Sequence, residues 1–134
     1  MSRTFWDAHA LAALVAGDEA AGYELEGATA IVALATCKVD TPAIVRRTAL
    51  SEFFADRAAA WAELMAAIAF VPIDDDLIEE AFQLAEEFLL PSDHAWPLAA
   101  AIRTRCERIV SAAPEELLVT AQMLGLRVAL VGGD

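Results

Sequence analysis

The chain has 134 residues, and its 9 Lys and Arg against 21 Asp and Glu give a formal net charge of −12. This length is typical of one domain, so we expect residues 1–134 to form a single domain. The charge excludes general electrostatic binding of nucleic acid by the whole surface, because an acidic protein repels phosphates.

The first third of the chain predicts a strand, a helix and one ambiguous segment. Residues 3–6 form a short strand candidate, and Asp7 then opens an apolar helix over residues 8–16 that ends at Gly17. Residues 20–36 mix the helix formers Ala and Leu with β-branched side chains. We interpret this last segment as a helix, with a strand as the alternative.

The middle of the chain is predominantly helical. Pro42 occupies a typical first helical position, so a helix is predicted to begin there, and residues 57–69 carry a second helix. Residues 70–73 follow as a short apolar strand, and residues 74–76, all Asp, cap the next helix. That helix has an acidic outer surface, which is typically a solvated face. Attraction of a basic partner is the alternative.

The last third of the chain alternates helices and strands. A helix begins near Ser92, and Pro97 is expected to bend it or delay its start. Residues 108–111 form a strand, residues 114–125 a helix and residues 126–131 the last strand. The alternation predicts an α/β fold, a three-layer α/β/α sandwich around a central, mostly parallel sheet. Any site in such a fold lies at the carboxyl ends of the strands.

Side chains that directly follow strands are the candidate site residues. Asp7, Asp74 and Ala113 are predicted to converge at one rim of the sheet, and two of these three are acidic. A hard cation such as Mg²⁺ or Mn²⁺ needs several carboxylates from separate elements. Asp7 is the best single candidate for such a site, and an N-cap for the following helix is the equally favoured alternative.

The two cysteines and the uncharged runs bear on the location of the protein. Cys37 and Cys106 lack the spacing of a metal or redox motif, and the uncharged runs are shorter than a membrane span. We therefore expect reduced thiols in a cytoplasmic protein without membrane association.

Four short motifs follow one another along most of the chain. They are FWDAHAL at residues 5–11, HAWPLAAAI at 94–102, RIVSAA at 108–113 and MLGLRV at 123–128. In this order they resemble the PIN-domain family, the small α/β ribonuclease domains best known as the toxins of bacterial toxin–antitoxin pairs. The resemblance implies a PIN-like fold and a ribonuclease centre built from four acidic positions.

The first two acidic positions of that family are only half present in this sequence. Asp7 matches the first acid. The second position falls near Arg47 or Thr48, neither of which is acidic, and Glu52 lies about one helical turn further on.

The third and fourth acidic positions are also altered. His94 is the best match to the third position, and Asp93 lies one residue early. A slip of one residue rotates a helical side chain by about 100°, so Asp93 cannot simply replace an acid at position 94. The fourth position falls on Ala113, and Glu115 is the closest acid.

The resemblance therefore implies a degenerate acidic metal site. We expect little or no catalysis, and a function through partner binding, either to a small antitoxin-like protein or as a homodimer. The alternative is an active Mg²⁺- or Mn²⁺-dependent endoribonuclease, a toxin with RNA as substrate. Its shifted catalytic set would be Asp7, Glu52, Asp93 and His94, with Asp7 and Asp93 as metal ligands. For His94 itself, the roles of ligand and general base compete with a partly buried residue bonded to Asp93, which is favoured.

Overall fold

A five-stranded sheet forms the centre of the computed structural model, which describes residues 2–48, 54–112 and 115–132. The strands are β1 (Ser2–Trp6), β2 (Ala28–Leu34), β3 (Ile68–Val71), β4 (Arg108–Ser111) and β5 (Arg127–Leu130). Their order across the sheet is β3-β2-β1-β4-β5, and every neighbouring pair is parallel.

The described helices form two groups. They are α1 (Ala8–Val15), α2 (Glu19–Glu26), α3 (Cys37–Thr48), α4 (Phe54–Met65), α5 (Asp75–Phe88), α6 (Ser92–Arg103) and α7 (Glu115–Met123). Helix α1 packs against α2, α3 and α4, whereas α5 packs against α6. The predicted α/β/α sandwich with a parallel sheet is confirmed. Among the described residues, no helix is long and apolar enough to cross a bilayer.

Strand β1 is the central strand, and its last three residues, 4–6, are buried. Phe5 and Trp6 have no exposed surface, as expected for a parallel strand covered on both faces. The Trp6 indole N–H donates to the Thr4 hydroxyl at 2.8 Å, so this buried polar group is satisfied. The position of β1 places the next residue, Asp7, in the middle of the carboxyl edge of the sheet.

The interpretation of residues 20–36 as one helix is wrong. The segment divides at Gly27, which caps α2, and continues as β2. Val32 and Ala33 of β2 are buried between β1 and β3. Pairing on both sides gives this segment a full set of backbone hydrogen bonds, which outweighs the helical preference of its Ala and Leu residues.

Helix α3 begins five residues earlier than predicted, at Cys37, with Pro42 in its interior. The N–H groups of Val39 and Asp40 both donate to the Thr36 carbonyl, so the first turn is already closed before Pro42. Proline lacks one N–H and therefore removes only one bond of the helix. The earlier start changes which side chains of α3 face the sheet edge.

Pro97 inside α6 does not delay the start of that helix. The helix begins at Ser92 without delay, with the N–H groups of His94 and Ala95 donating to the Pro91 carbonyl. Pro97 is buried within the helix. The start of α6 is therefore set by Pro91, which cannot itself be a donor within a helix.

Candidate functional site

A cavity of about 550 Å³ opens at the carboxyl ends of β1, β2 and β4. Asp7 follows β1, Thr36 and Cys37 follow β2, and Ala112 follows β4. Helices α3 and α6 close the two sides. Its polar and charged lining residues include Asp7, His9, Thr36, Cys37, Asp40, Arg47, Asp93 and His94.

Asp7 is held by hydrogen bonds to both of its carboxylate oxygens. Oδ1 accepts from the Ala10 N–H at 2.8 Å, which makes Asp7 the N-cap of α1. Oδ2 accepts a short hydrogen bond from the Ser111 hydroxyl. The predicted cap is confirmed, and it coexists with a place in the cavity lining.

The charge of Asp7 is disfavoured by its surroundings. Burial raises the pKa of this carboxyl, and the hydrogen bonds from Ser111 and Ala10 oppose that rise only in part. A carboxyl whose pKa is raised by burial inside a cavity is a frequent feature of functional sites, although structural networks also produce it.

Ser111 is a site residue that the sequence analysis missed. It is the last residue of β4 and is fully buried. Its neighbour Val110 pairs with Trp6 of β1, which brings Ser111 beside Asp7. Its place at the end of a strand was the signal in the sequence. The resemblance instead placed the fourth acidic position two residues later, at Ala113.

Asp40 is a second missed residue. Because α3 begins at Cys37, Asp40 lies in its first turn and lines the cavity together with Ala43 and Arg47. These residues lie three, four or seven positions apart and so share one face of the helix. This face of α3 supplies one carboxylate and one guanidinium to the cavity.

Helix α6 brings both of its predicted residues to the cavity. Asp93 is exposed at its edge, and His94 is buried with 5% of its surface exposed. Among the described residues, Nδ1 of His94 has no hydrogen-bond partner. The favoured interpretation of His94 as bonded to Asp93 is therefore not supported at this nitrogen.

Asp74 does not join this cavity, contrary to the prediction that three strand ends converge. Strand β3, which precedes Asp74, is at the edge of the sheet, with β2 between it and β1. Asp74 instead caps α5 by accepting from the Leu77 N–H at 2.8 Å and pairs with Arg103 at 3.0 Å.

The remaining candidates fall in other parts of the chain. Glu52 and Ala113 lie outside the described residues, and the side chains of Thr48 and Glu115 are not among those described. The shifted set of Asp7, Glu52, Asp93 and His94 therefore stays a prediction, of which three members share one cavity.

The described donors do not fit a Mg²⁺ or Mn²⁺ ion. Among the side chains that the structure describes, no group of three from His, Cys, Asp or Glu is arranged to hold a metal. Cys37 is no substitute ligand, because burial, with Asp7 and Asp40 nearby, raises the pKa of its thiol to about 12. A metal ligand would have to be the thiolate.

Two solved structures are similar in fold to this chain. A chain of a toxin–antitoxin complex from Klebsiella pneumoniae has a TM-score of 0.68 and 17% identity, covering 84% of this chain and 88% of that chain. VapC20 from Mycobacterium tuberculosis, a sarcin–ricin loop cleaving toxin, has a TM-score of 0.61 and 18% identity, covering 87% and 94%. No protein-family model and no curated protein matches the sequence. The PIN-like fold implied by the motifs is confirmed.

Proposed function

We propose that this chain is a PIN-like protein of the toxin–antitoxin type that has little or no metal-dependent ribonuclease activity and acts by binding a protein partner. The arrangement around Asp7 carries the proposal. Both carboxylate oxygens already accept hydrogen bonds, from the Ala10 N–H and the Ser111 hydroxyl. A cation at Asp7 needs more carboxylates beside it, and these two neighbours are hydrogen-bond donors instead.

The cavity-facing side of α3 supports the same conclusion. It presents Asp40, Ala43 and Arg47, so a single carboxylate is accompanied by a guanidinium. A positive side chain in the cavity lining lowers the affinity for a divalent cation by Coulomb repulsion. The acidic excess of the protein lies elsewhere, much of it on α5.

A protein partner suits this chain better than RNA does. One of the similar structures is a toxin–antitoxin complex, which supports an antitoxin-like protein as the partner here. A net charge of −12 favours association with a basic protein segment and opposes association with phosphates. A homodimer is part of the proposal as well, and sedimentation equilibrium of the purified chain tests it.

An active metal-dependent endoribonuclease is the second candidate. It is favoured by the meeting of Asp7, Asp93 and His94 in one cavity. A further carboxylate of the same cavity is that of Asp40, and the shifted set adds Glu52. Within that set, His94 is the candidate general acid or base.

An RNA cleavage assay separates the two candidates. The chain is incubated with single-stranded RNA and millimolar Mg²⁺ or Mn²⁺, beside the variants Asp7→Asn and Asp18→Asn. Asp18 is a matched control, because it caps α2 as Asp7 caps α1 but is not part of the cavity lining. We expect no cleavage by any of the three proteins and no rise in melting temperature with Mn²⁺. Cleavage that is lost in Asp7→Asn and kept in Asp18→Asn would overturn the proposal.

A further inference from the structure

Helix α5 exposes two large apolar side chains that the rest of the fold leaves uncovered. Ile78 is 47% exposed and Phe82 is 58% exposed, whereas Leu77 and Ala81 of the same helix are buried. Ile78 and Phe82 are four residues apart, so they lie one above the other on the helix surface. They therefore form one apolar stripe and not two separate exposed residues.

Acidic side chains border this stripe. Asp75 lies three residues before Ile78, Glu79 three residues before Phe82, and Glu86 four residues after Phe82. All three are exposed, and the spacing places them on the same side of the helix as the apolar pair. We refer to these five residues, Asp75, Ile78, Glu79, Phe82 and Glu86, as the α5 outer face.

The negative charge of the α5 outer face is not balanced within the described part of the fold. In that part, Arg103 forms ion pairs with Asp74, the cap of α5, at 3.0 Å and with Glu80 of α5 at 3.1 Å. Both pairs lie on another side of the helix. Glu79 accepts a hydrogen bond from Gln83 at 3.4 Å, which brings no positive charge. The outer face thus combines an apolar stripe with side chains of negative charge only.

We propose that the α5 outer face docks a basic amphipathic helix of a protein partner. Apolar side chains of that helix would cover Ile78 and Phe82, and its Lys or Arg side chains would lie opposite Asp75, Glu79 and Glu86. Helix docking through residues at three- and four-residue spacing is a common recognition mode, and complementary charge gives it specificity. A second copy of α5 is a poor occupant, because it would place acids against acids.

This inference rests on the proposed function in one respect, that the chain works by binding a protein. The cavity around Asp7 has no part in it. Cleavage of RNA with Mn²⁺ would overturn the proposed function and leave the docking surface untouched. A failure of the peptide experiment described next would remove the docking surface alone.

The probe is a synthetic amphipathic peptide of about 15 residues, a length at which isolated helices become marginally stable. It carries Leu at three- and four-residue spacing with Lys beside it, and a matched peptide carries Glu in place of Lys. Binding to the full chain is measured by fluorescence anisotropy at low and high salt, and backbone amide NMR shifts locate the contact. The variants are Phe82→Gln, Glu86→Gln and Glu87→Gln.

We expect saturable binding of the Lys peptide, with amide shifts centred on α5, and no binding of the Glu peptide. Phe82→Gln should weaken binding about tenfold, the size typical of losing a central apolar contact. Glu86→Gln should weaken it severalfold at low salt. Glu87→Gln removes the same charge from an exposed position off the outer face and should leave binding nearly unchanged.

Three results would overturn the docking surface. Equal losses of peptide affinity in Glu86→Gln and Glu87→Gln would show that the peptide is attracted by the net charge of the protein alone. Binding that is absent, or unaffected by Phe82→Gln, would show that the stripe does not contact the peptide. A change in the sedimentation of the free protein on Phe82→Gln would show that a second copy occupies the face. Phe82 is mostly exposed, so we expect the variant to fold, and its thermal melt checks this.

Discussion

The Ser111 hydroxyl donates a hydrogen bond to the Asp7 carboxylate across the parallel pairing of β4 with β1. The two residues are 104 positions apart in the chain, so the contact exists only once the sheet has formed. It joins the cap of α1 to the end of β4 and holds the centre of the cavity in place.

Replacing Ser111 by Ala should raise the pKa of Asp7 further, because the lost hydrogen bond stabilises the charged carboxylate. The buried carboxylate also loses a partner, so we expect the free energy of unfolding at pH 7 to fall by about 1–2 kcal/mol. NMR titration of the Asp7 carboxyl carbon and urea unfolding measure the two effects. An unchanged titration curve would contradict the contact.

Asp7→Asn should be at least as stable as the unmodified chain at pH 7. The amide oxygen keeps the acceptor for the Ala10 N–H, and the amide NH₂, in the place of Oδ2, donates to the Ser111 oxygen instead of accepting from it. The substitution also removes a charge that burial disfavours. The pKa of Asp7 is raised on folding, so the folded chain binds this proton more tightly than the unfolded chain does. The loss of stability caused by the buried charge of Asp7 is therefore absent at low pH. It appears as pH rises through the pKa of Asp7 in the unfolded chain towards its pKa in the folded chain.

Unfolding by urea at several pH values from acid to neutral checks this course. The stability difference between Asp7→Asn and the unmodified chain should grow in favour of the variant with rising pH. Asp7→Ala is the control, because it removes the cap as well and should lose about 1 kcal/mol relative to Asp7→Asn at all pH values. A variant Asp7→Asn that is destabilised most at high pH would refute the effect of burial.

Asp74 should show the opposite pH course. The Leu77 N–H, followed by Arg103, lowers the pKa of this carboxyl, so its contribution to stability is present above the unfolded pKa and disappears as pH falls through the folded pKa. Asp74→Asn keeps the cap but loses the ion pair, and Asp74→Ala loses both. We expect a lower melting temperature for Asp74→Ala than for Asp74→Asn at neutral pH. The difference in melting temperature between Asp74→Asn and the unmodified chain should disappear in acid and become smaller in high salt.

Two glycines should respond to alanine in opposite directions. Gly22 lies inside α2 with open space where a Cβ would go, so Gly22→Ala should stabilise the fold by about 0.5–1 kcal/mol. Gly125, after α7, has φ +84° and equally open space, so Gly125→Ala should cost about 1–2 kcal/mol through backbone strain alone. Chemical unfolding of both variants provides the comparison, and an increase in stability with Gly125→Ala would contradict a left-handed backbone at this position.

Local signals were sufficient for most of the elements. The Asp7 and Asp74 caps, the amphipathic α5 and the strands β1, β4 and β5 were predicted, and β3 was predicted two residues too late, because a cap or a hydrophobic period depends on residues a few positions apart. Two of the errors concern the type of an element and the start of an element. Residues 28–34 became a strand through pairing with β1 and β3, and α3 began at Cys37 through contacts of the preceding turn. The β-branched residues of the first segment already offered a strand as the alternative, and the pairing with β1 and β3 decided between the two.

The sequence by itself determined the alternation of strands and helices, the motifs of a PIN-like fold and the place of Asp7 at a strand end, since each is written in short stretches of chain. Only the tertiary structure decided which side chains meet. Ser111 reaches Asp7 because β4 lies beside β1, and Asp74 is remote because β3 lies at the edge. Strand order arises from contacts between distant segments, and the composition of the cavity follows from that order.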